Sequence, residues 1–302
     1  MDVAVLGAGS VGSLLGGLLA REHPVTLVGR EPHVTAVRRD GLTVAGRPEC
    51  TVHPEARTDT AGLDADLVLV TVKAHDVSAA ADRLARDADP AVVVPLSNGL
   101  GHADTLADRL PGTAALAGTI TYGATLDRPG HVTCTGAGAV TVGARGGGPS
   151  RAAREVAAVF ETAGVEATAV EDAPRRGWEK LAVNAGVNAA TALARVENGR
   201  LVDEPGRALA HDAARECARV ARAEGVDLSD AAAVDAVDRV VEATAANRSS
   251  MRQDLDAGRR TEVNAINGHV VDRAGAHDLA VPTNETLTRL LRLWERGRGL
   301  RR

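Results

Sequence analysis

The sequence predicts an α/β fold in two domains, a parallel-sheet domain at the N-terminal side and an all-helical C-terminal domain after it. Three observations carry the prediction. Apolar runs alternate with helical segments from residue 2 to residue 120, a glycine-rich turn separates the first run from the first helix, and the strand pattern stops at residue 170. Such alternation is the pattern of a parallel sheet with helices on both faces. The expected domains are residues 1–170 and 171–302, and an apolar fraction of 44% supports a core in each.

The elements follow in order. Residues 2–6 (DVAVL) read as a strand, residues 13–21 as a Leu- and Ala-rich helix, and residues 24–28 as a second strand, at the spacing of a βαβ unit. Further strands are expected at 67–72, 92–96 and 114–120, with helices at 77–86 and 104–110. Residues 131–143 (HVTCTGAGAVTVG) alternate as a β-hairpin does, which would extend the sheet at one edge. A loop at 146–150, an amphipathic helix at 151–163 and a strand at 165–170 complete the first domain. From Pro174 onward only helices are expected, with breaks near Asn198-Gly199, Glu224-Gly225 and Pro282.

Composition excludes several classes of function. The formal net charge is −5, with acids and bases mixed along the chain, so no basic stripe offers itself to nucleic acid or to a membrane surface. Aromatics make up 1% of the chain, too few for a surface on which bases stack. The start shows no signal-peptide pattern and no stretch is long enough to span a membrane, so a cytoplasmic protein is expected. Cys50, Cys134 and Cys217 lack a CxxC pair and read as reduced thiols; the nine histidines lack ligand spacing, and no metal is expected. A homodimer is left open.

The glycine turn carries the first chemistry. Gly7, Ala8, Gly9, Ser10, Val11 and Gly12 lie between the first strand and the first helix, the position at which GxGxxG marks a Rossmann-type dinucleotide-binding domain. There the glycines permit the turn, the approach of a pyrophosphate and tight helix packing, while the helix N-terminus offers free N–H groups to phosphate. Where NAD-preferring domains place an acid after the second strand, this chain has Gly29-Arg30. A guanidinium there pairs with a 2′-phosphate, which favours NADPH, with NADH as the alternative donor; the adjacent Glu31 works against this. Lys73 and Asn98 each follow a strand at its carboxyl end, where open sheets bind ligands. Asn98 is either an amide for nicotinamide ribose and substrate or a turn residue before glycine.

A second pattern lies beyond the first domain. Lys180, Asn184 and Asn188 fall at i, i+4 and i+8 and line one helix face among Leu181, Ala182, Val183 and Val187. That face meets either a specific polar partner inside the protein or bulk solvent. Of 35 basic residues only Lys73 and Lys180 are lysines. A lysine does what arginine cannot: its pKa falls on desolvation, so it can give up a proton near neutral pH.

Taken together, GAGSVG (7–12), VKA (72–74), NGLG (98–101) and GATLDRPGHV (123–132) resemble the ketopantoate reductase family. The resemblance continues through WEKLAVNAGVNAATAL (178–193), ENG (197–199), SSMRQDLDAGRRTEVNAINGHVV (249–271) and VPTNETL (281–287), so it covers essentially the whole chain. It implies that Lys180 protonates a ketone oxygen as hydride arrives and that Glu262 lies near cofactor and reacting centre. It also implies amides of Asn98, Asn184, Asn188, Asn198 and Asn247 around substrate or cofactor, a Ser250 hydroxyl on the substrate carboxylate, a cofactor contact by Lys73 and a backbone contact from Ala124. Five of the eight asparagines thus fall on site positions of the family. Arg248 is a local variation.

The activity implied is NADPH-dependent reduction of 2-dehydropantoate to pantoate in pantothenate and coenzyme A biosynthesis, with substrate in a cleft between the domains. Two other readings stand beside it: a reductase of another branched 2-oxo acid, and a non-catalytic NADPH-binding regulator. Glu262 is either a partner of Lys180 or a solvent-facing helix acid. As a partner it would raise the lysine pKa while burial lowers it, and the sequence leaves the balance open.

Overall fold

A computed structural model describes residues 1–46 and 48–301. The chain divides into two compact units: residues 1–97 with 101–174, and residues 98–100 with 175–302.

The N-terminal unit opens with β1 (Val3–Leu6), α1 (Ser10–Leu19), β2 (Val25–Val28), α2 (His33–Asp40), β3 (Leu42–Ala45), β4 (Cys50–Val52) and β5 (Glu55–Arg57). It continues through β6 (Leu67–Val70), α3 (Val77–Asp87), β7 (Val92–Pro95), α4 (His102–Arg109), β8 (Ala114–Ile120), β9 (Gly123–Arg128), β10 (His131–Gly136), β11 (Val140–Ala144), α5 (Arg151–Thr162) and β12 (Ala167–Val170). An eight-stranded sheet runs β12-β11-β8-β7-β6-β1-β2-β5, and a second sheet of four strands runs β4-β3-β10-β9. In the large sheet β1, β2, β5, β6, β7 and β8 are parallel; β11 is antiparallel to β8. The central strands β1, β6 and β7 are buried along their whole length, which is why they read as unbroken apolar runs.

Three expectations need correction. Residues 131–143 are not a hairpin at the edge of one sheet. β10 pairs with β9 and β3 in the small sheet, whereas β11 pairs with β8 and β12 in the large one. Alternation reports which side chains are buried, and Val132 and Val142 are both fully buried, but it does not report the partner strand. The first helix also starts earlier than residue 13, at Ser10, inside the glycine turn itself, and the strand expected to reach residue 72 ends at Val70.

Helix α1 is buried on opposite faces. Leu14, Leu15, Leu18 and Leu19 belong to a core shared with Val3, Val5 and Leu27 of the large sheet and with Leu42, Val44 and Val132 of the small one. Gly16 and Gly17 allow both approaches: a Cβ on Gly16 would lie 2.3 Å from Leu27 Cδ2, and one on Gly17 2.5 Å from Val44 Cγ2. A buried histidine ties the same helix to the β9–β10 turn. His33 Nδ1 accepts the Gly130 N–H at 3.0 Å, so Nε2 carries the proton and donates to Ser13 Oγ at 3.0 Å. Burial lowers the His33 pKa and keeps the ring neutral.

The second unit is helical: α6 (Ala173–Ala194), α7 (Gly206–Ala223), α8 (Asp230–Ala243), α9 (Ser250–Asp256), α10 (Asn267–Ala276) and α11 (Pro282–Gly297), with a 3-10 turn at Asn198–Leu201. Its core is rich in alanine, with Ala182, Ala185 and Ala189 on α6 and Ala210, Ala213 and Ala214 on α7. Small residues let helix backbones come close; a Cβ on Gly186 would lie 2.6 Å from the Ala210 carbonyl oxygen. The N-terminus of α11 is held by buried Glu216, which accepts from the Thr283 and Asn284 N–H groups, each at 2.9 Å, and from Asn284 Nδ2 at 2.8 Å. Among the described residues no helix is long and apolar enough to cross a membrane.

Candidate active site

The N-terminal unit gathers its candidate residues at one edge. Parallel register sets Leu6 opposite Val28 and Val70, and Val70 opposite Pro95. Gly7, Gly29-Arg30 and Thr71-Val72-Lys73 therefore all leave the carboxyl edge of the sheet, and the chain toward Asn98 leaves it too. Ala124 lies on β9, whose Leu126 N–H donates to Ser10 Oγ at 3.1 Å and fastens β9 to the start of α1.

Each glycine of the turn has its own reason. Gly7 has φ +116°, and a Cβ there would lie 2.6 Å from the Val72 nitrogen. On Gly12 a Cβ would meet the Gly7 carbonyl oxygen at 2.2 Å and Thr71 Oγ1 at 2.5 Å. Gly9 is different, because a Cβ there would meet nothing closer than the Gly7 oxygen at 3.9 Å. The protein needs glycine at 7 and 12 for its own packing, whereas the space at Gly9 is open. Gly9 is also the N-cap of α1, and no side chain caps that helix end. An open cradle at an uncapped helix N-terminus fits a pyrophosphate.

At the end of β2, Arg30 is exposed; its carbonyl accepts the His33 N–H at 3.1 Å, and its side chain makes no hydrogen bond or ion pair among the described residues. The neighbouring Glu31 is engaged elsewhere: its carboxylate accepts the Thr35 N–H of α2 at 3.1 Å, and the Thr35 hydroxyl, with that N–H, holds its pKa below the ordinary carboxylate value. Lys73 is partly buried and leads into a 3-10 turn at Ala74–Asp76.

The second unit builds a polar cluster on α6. Lys180, Asn184 and Asn188 do share a helix, and the apolar residues beside them, Leu181, Ala182 and Val187, are core. Asn98 joins this cluster, because the 98–100 segment belongs to the second unit. Gly99, with φ +101°, brings it there: a Cβ would lie 2.6 Å from the Ala265 carbonyl oxygen. Asn98 Nδ2 donates to Glu262 Oε2 at 2.9 Å, and Asn184 Nδ2 lies 3.5 Å from Asn98 Oδ1. The carboxylate can only accept, so it fixes which way the Asn98 amide points.

Glu262 is not a solvent-facing helix acid. It is 6% exposed and sits in a turn before α10. Its charge reaches Lys180 and favours the ammonium, but desolvation is the larger effect and brings the lysine pKa from 10.5 down to about 8. Some Lys180 surface remains accessible although the ammonium is deeply embedded. The balance the sequence left open falls on the side of burial.

The other candidates form separate groups. Asn188 is buried, and its carbonyl accepts from Thr191 Oγ1 at 3.3 Å and from Ser249 Oγ at 3.5 Å. Ser249 caps α9, accepting the Arg252 N–H at 3.2 Å, while Ser250 is exposed at the first helical position. Asn198 is buried; its Nδ2 donates to Thr244 Oγ1 at 2.9 Å, its N–H bonds the Asn247 carbonyl at 3.0 Å, and its Oδ1 has no partner among the described residues. The Asn247 side chain belongs to an exposed residue. Arg248 lies 3.7 Å from Asp256, beside Arg195 and Arg252 on the same carboxylate.

Sequence reading missed Ser249, Thr191 and Thr244. A serine three residues before a glutamine is a cap signal, and that spacing points from Gln253 to Ser250, whereas the folded chain caps α9 with Ser249. Among the described residues no group of three or more His, Cys, Asp or Glu could hold a metal.

A dinucleotide-type parallel sheet followed by helices that embed a lysine beside a carboxylate defines a class, the dinucleotide-dependent oxidoreductases. Within that class the chain belongs to the ketopantoate reductase family. Residues 3–147 match the family described as ketopantoate reductase PanE/ApbA, and residues 172–295 match ketopantoate reductase PanE/ApbA C terminal. It is 47% identical to a 2-dehydropantoate 2-reductase of Halobacterium salinarum, over 98% of this chain and 99% of that one. With a 2-dehydropantoate 2-reductase of Archaeoglobus fulgidus it shares 39% identity, over 98% of each. A crystal structure of a PanE/ApbA family ketopantoate reductase from Ralstonia eutropha JMP134 superposes with a TM-score of 0.91 at 36% identity, covering 99% of this chain and 100% of that one.

Proposed function

We propose that this protein reduces 2-dehydropantoate to (R)-pantoate with NADPH, a step of pantothenate and coenzyme A biosynthesis, in the cytoplasm. The observation that carries the reading is Lys180, embedded on α6 beside Glu262 with its pKa brought to about 8, in a chain that matches the ketopantoate reductase family along nearly all its length.

The nicotinamide, when bound, supplies the hydride. Gly9 and the N-terminus of α1 would hold its pyrophosphate, with Lys73, Asn98 and the backbone at Ala124 as further contacts and Arg30 on the 2′-phosphate. Glu31, engaged by Thr35, does not neutralise Arg30.

Lys180 does the acid chemistry. A ketone under hydride attack develops negative charge on its oxygen, and an ammonium aimed at that oxygen stabilises the charge and then gives it a proton. With a pKa of about 8 the group is charged at neutral pH and gives up its proton more readily than an exposed lysine. Glu262 keeps the ammonium charged and, through Asn98, sets the amide beside it. Asn184 and Asn188 continue the polar face toward substrate, and the unpartnered Oδ1 of buried Asn198 is an acceptor suited to a ligand hydroxyl. Asn247 and Ser250, both exposed, complete the substrate set, with Ser250 on the carboxylate.

The test is NADPH oxidation with 2-dehydropantoate, repeated with NADH and with 2-oxoisovalerate. Fast turnover of 2-dehydropantoate with NADPH is expected. Comparable efficiency on 2-oxoisovalerate would overturn the named substrate, and NADPH binding without reduction of either acid would turn the protein into a regulator.

A further inference from the structure

Glu262 sits in a turn, and a turn does not by itself aim a carboxylate. Helix α11 grips this one on both sides. Before Glu262, the fully buried Glu295 carboxylate accepts from Thr261 twice through one oxygen, from the N–H at 2.8 Å and from Oγ1 at 2.6 Å. After Glu262, the Asn264 side-chain oxygen accepts from Arg292 Nε at 2.9 Å. Arg292 and Glu295 are three residues apart on α11 and so share a face. The other Glu295 oxygen is paired with Arg301 Nε at 2.7 Å.

We propose that Glu295 and Arg292 are positioning residues which hold the Thr261–Asn264 turn so that the Glu262 carboxylate meets Asn98 and acts on Lys180. A buried charge costs stability relative to an apolar side chain of the same size. Here one oxygen of the carboxylate takes both donors of the residue immediately before Glu262, and the other takes Arg301. Within the turn, Thr261 Oγ1 also accepts the Val263 N–H at 3.3 Å, and Ala265 N–H bonds the Glu262 carbonyl at 2.9 Å. A shift of Thr261 would therefore be carried to Glu262. The inference rests on the reading of Lys180 as proton donor.

The chain has two lysines, so lysine labelled with carbon-13 at Cε gives two NMR signals whose titration can be followed in the intact protein, with Lys73→Arg to assign them. Glu295→Ala should lower the Lys180 midpoint by about half a unit to one unit, because the Glu262 charge no longer sits as close. It should move the alkaline limb of turnover by the same amount and lower kcat. Glu295→Gln keeps an oxygen for Thr261 and should restore most of the midpoint. Leu291→Ala, a cavity on the same helix, should lower Tm without moving it. An unmoved midpoint in folded Glu295→Ala, or an equal shift in Leu291→Ala, overturns the proposal. Should Glu295→Ala fail to fold, Thr261→Val removes only the hydroxyl bond and must still lower the midpoint. The NMR midpoint is read without turnover, so a protein that reduced no oxo acid would count against the proposed reaction and leave the positioning test standing.

Discussion

The turn at Gly7–Gly12 and the cluster around Lys180 use side chains in opposite ways. The turn is shaped by what is missing: Gly7 and Gly12 have no room for a Cβ, and Gly9 leaves its space open. The cluster is shaped by side chains whose charge is set by surroundings, a lysine brought to about 8 by burial and a carboxylate held by Asn98. One region is made by backbone and contiguous sequence, the other by residues as far apart as Asn98 and Glu262. Binding should therefore fail in the first region and chemistry in the second.

The largest expected effect separates the two. Lys180→Ala should lower the rate of ketone reduction by about 10² to 10⁴-fold, the range for loss of a positioned general acid, while NADPH affinity measured by titration changes little. Equal losses of both would mean that Lys180 serves binding instead. The reverse pattern is expected in the turn, where two substitutions of the same size should differ. Gly12→Ala forces a methyl into the Gly7 carbonyl and should lower stability by about 1–3 kcal/mol along with nucleotide binding. Gly9→Ala meets no protein atom closer than 3.9 Å, so Tm should hold while NADPH Kd rises at least about tenfold. If Gly9→Ala binds NADPH normally, the open space is not the pyrophosphate cradle.

Lys180 also predicts how rate and stability part company with pH. As the proposed proton donor it must be charged, so turnover should fall as pH rises through about 8. Stability runs the other way. The folded-state pKa is about 8 against 10.5 in the free side chain, so between those values the unfolded chain binds more protons. The contribution of Lys180 to stability therefore rises from pH 8 to pH 10.5, and its cost is fully present below pH 8. Urea unfolding across that range, compared with Lys180→Met, isolates the term. A rate profile flat through pH 8–10 would mean that Lys180 does not deliver the proton.

How much of this was legible in the sequence follows from the same contrast. The glycine turn could be read because all its residues are contiguous and lie between a strand and a helix. The Lys180 face could be read because helical periodicity puts i and i+4 together. The small sheet could not, because β10 pairs in parallel with β3, from far upstream, and alternation says nothing about which strand is the partner. Glu262 entered through family resemblance, and its burial, its turn and its support from α11 appear only in the folded chain. The bond between Thr261 and Glu295 spans 34 residues and crosses two helices, with no periodicity to signal it.

The smallest expected effect concerns Arg30, a candidate binding residue at the same sheet edge as the turn that would act through charge. Its guanidinium is exposed, so the proposed pairing with a 2′-phosphate would be screened by water and salt and contribute less than a buried pair. Arg30→Asp both removes that attraction and offers an acceptor to ribose hydroxyls, as NAD-preferring domains do. The ratio of kcat/KM for NADPH over NADH should fall by about tenfold, and the fall should shrink as salt is raised. The kcat with saturating nucleotide should be unchanged, because Arg30 is proposed to act on nucleotide binding alone. A ratio that does not move would place the 2′-phosphate on other cations, and Arg57, whose carbonyl accepts the Gly29 N–H at 2.9 Å at the same sheet edge, would be the next residue to change.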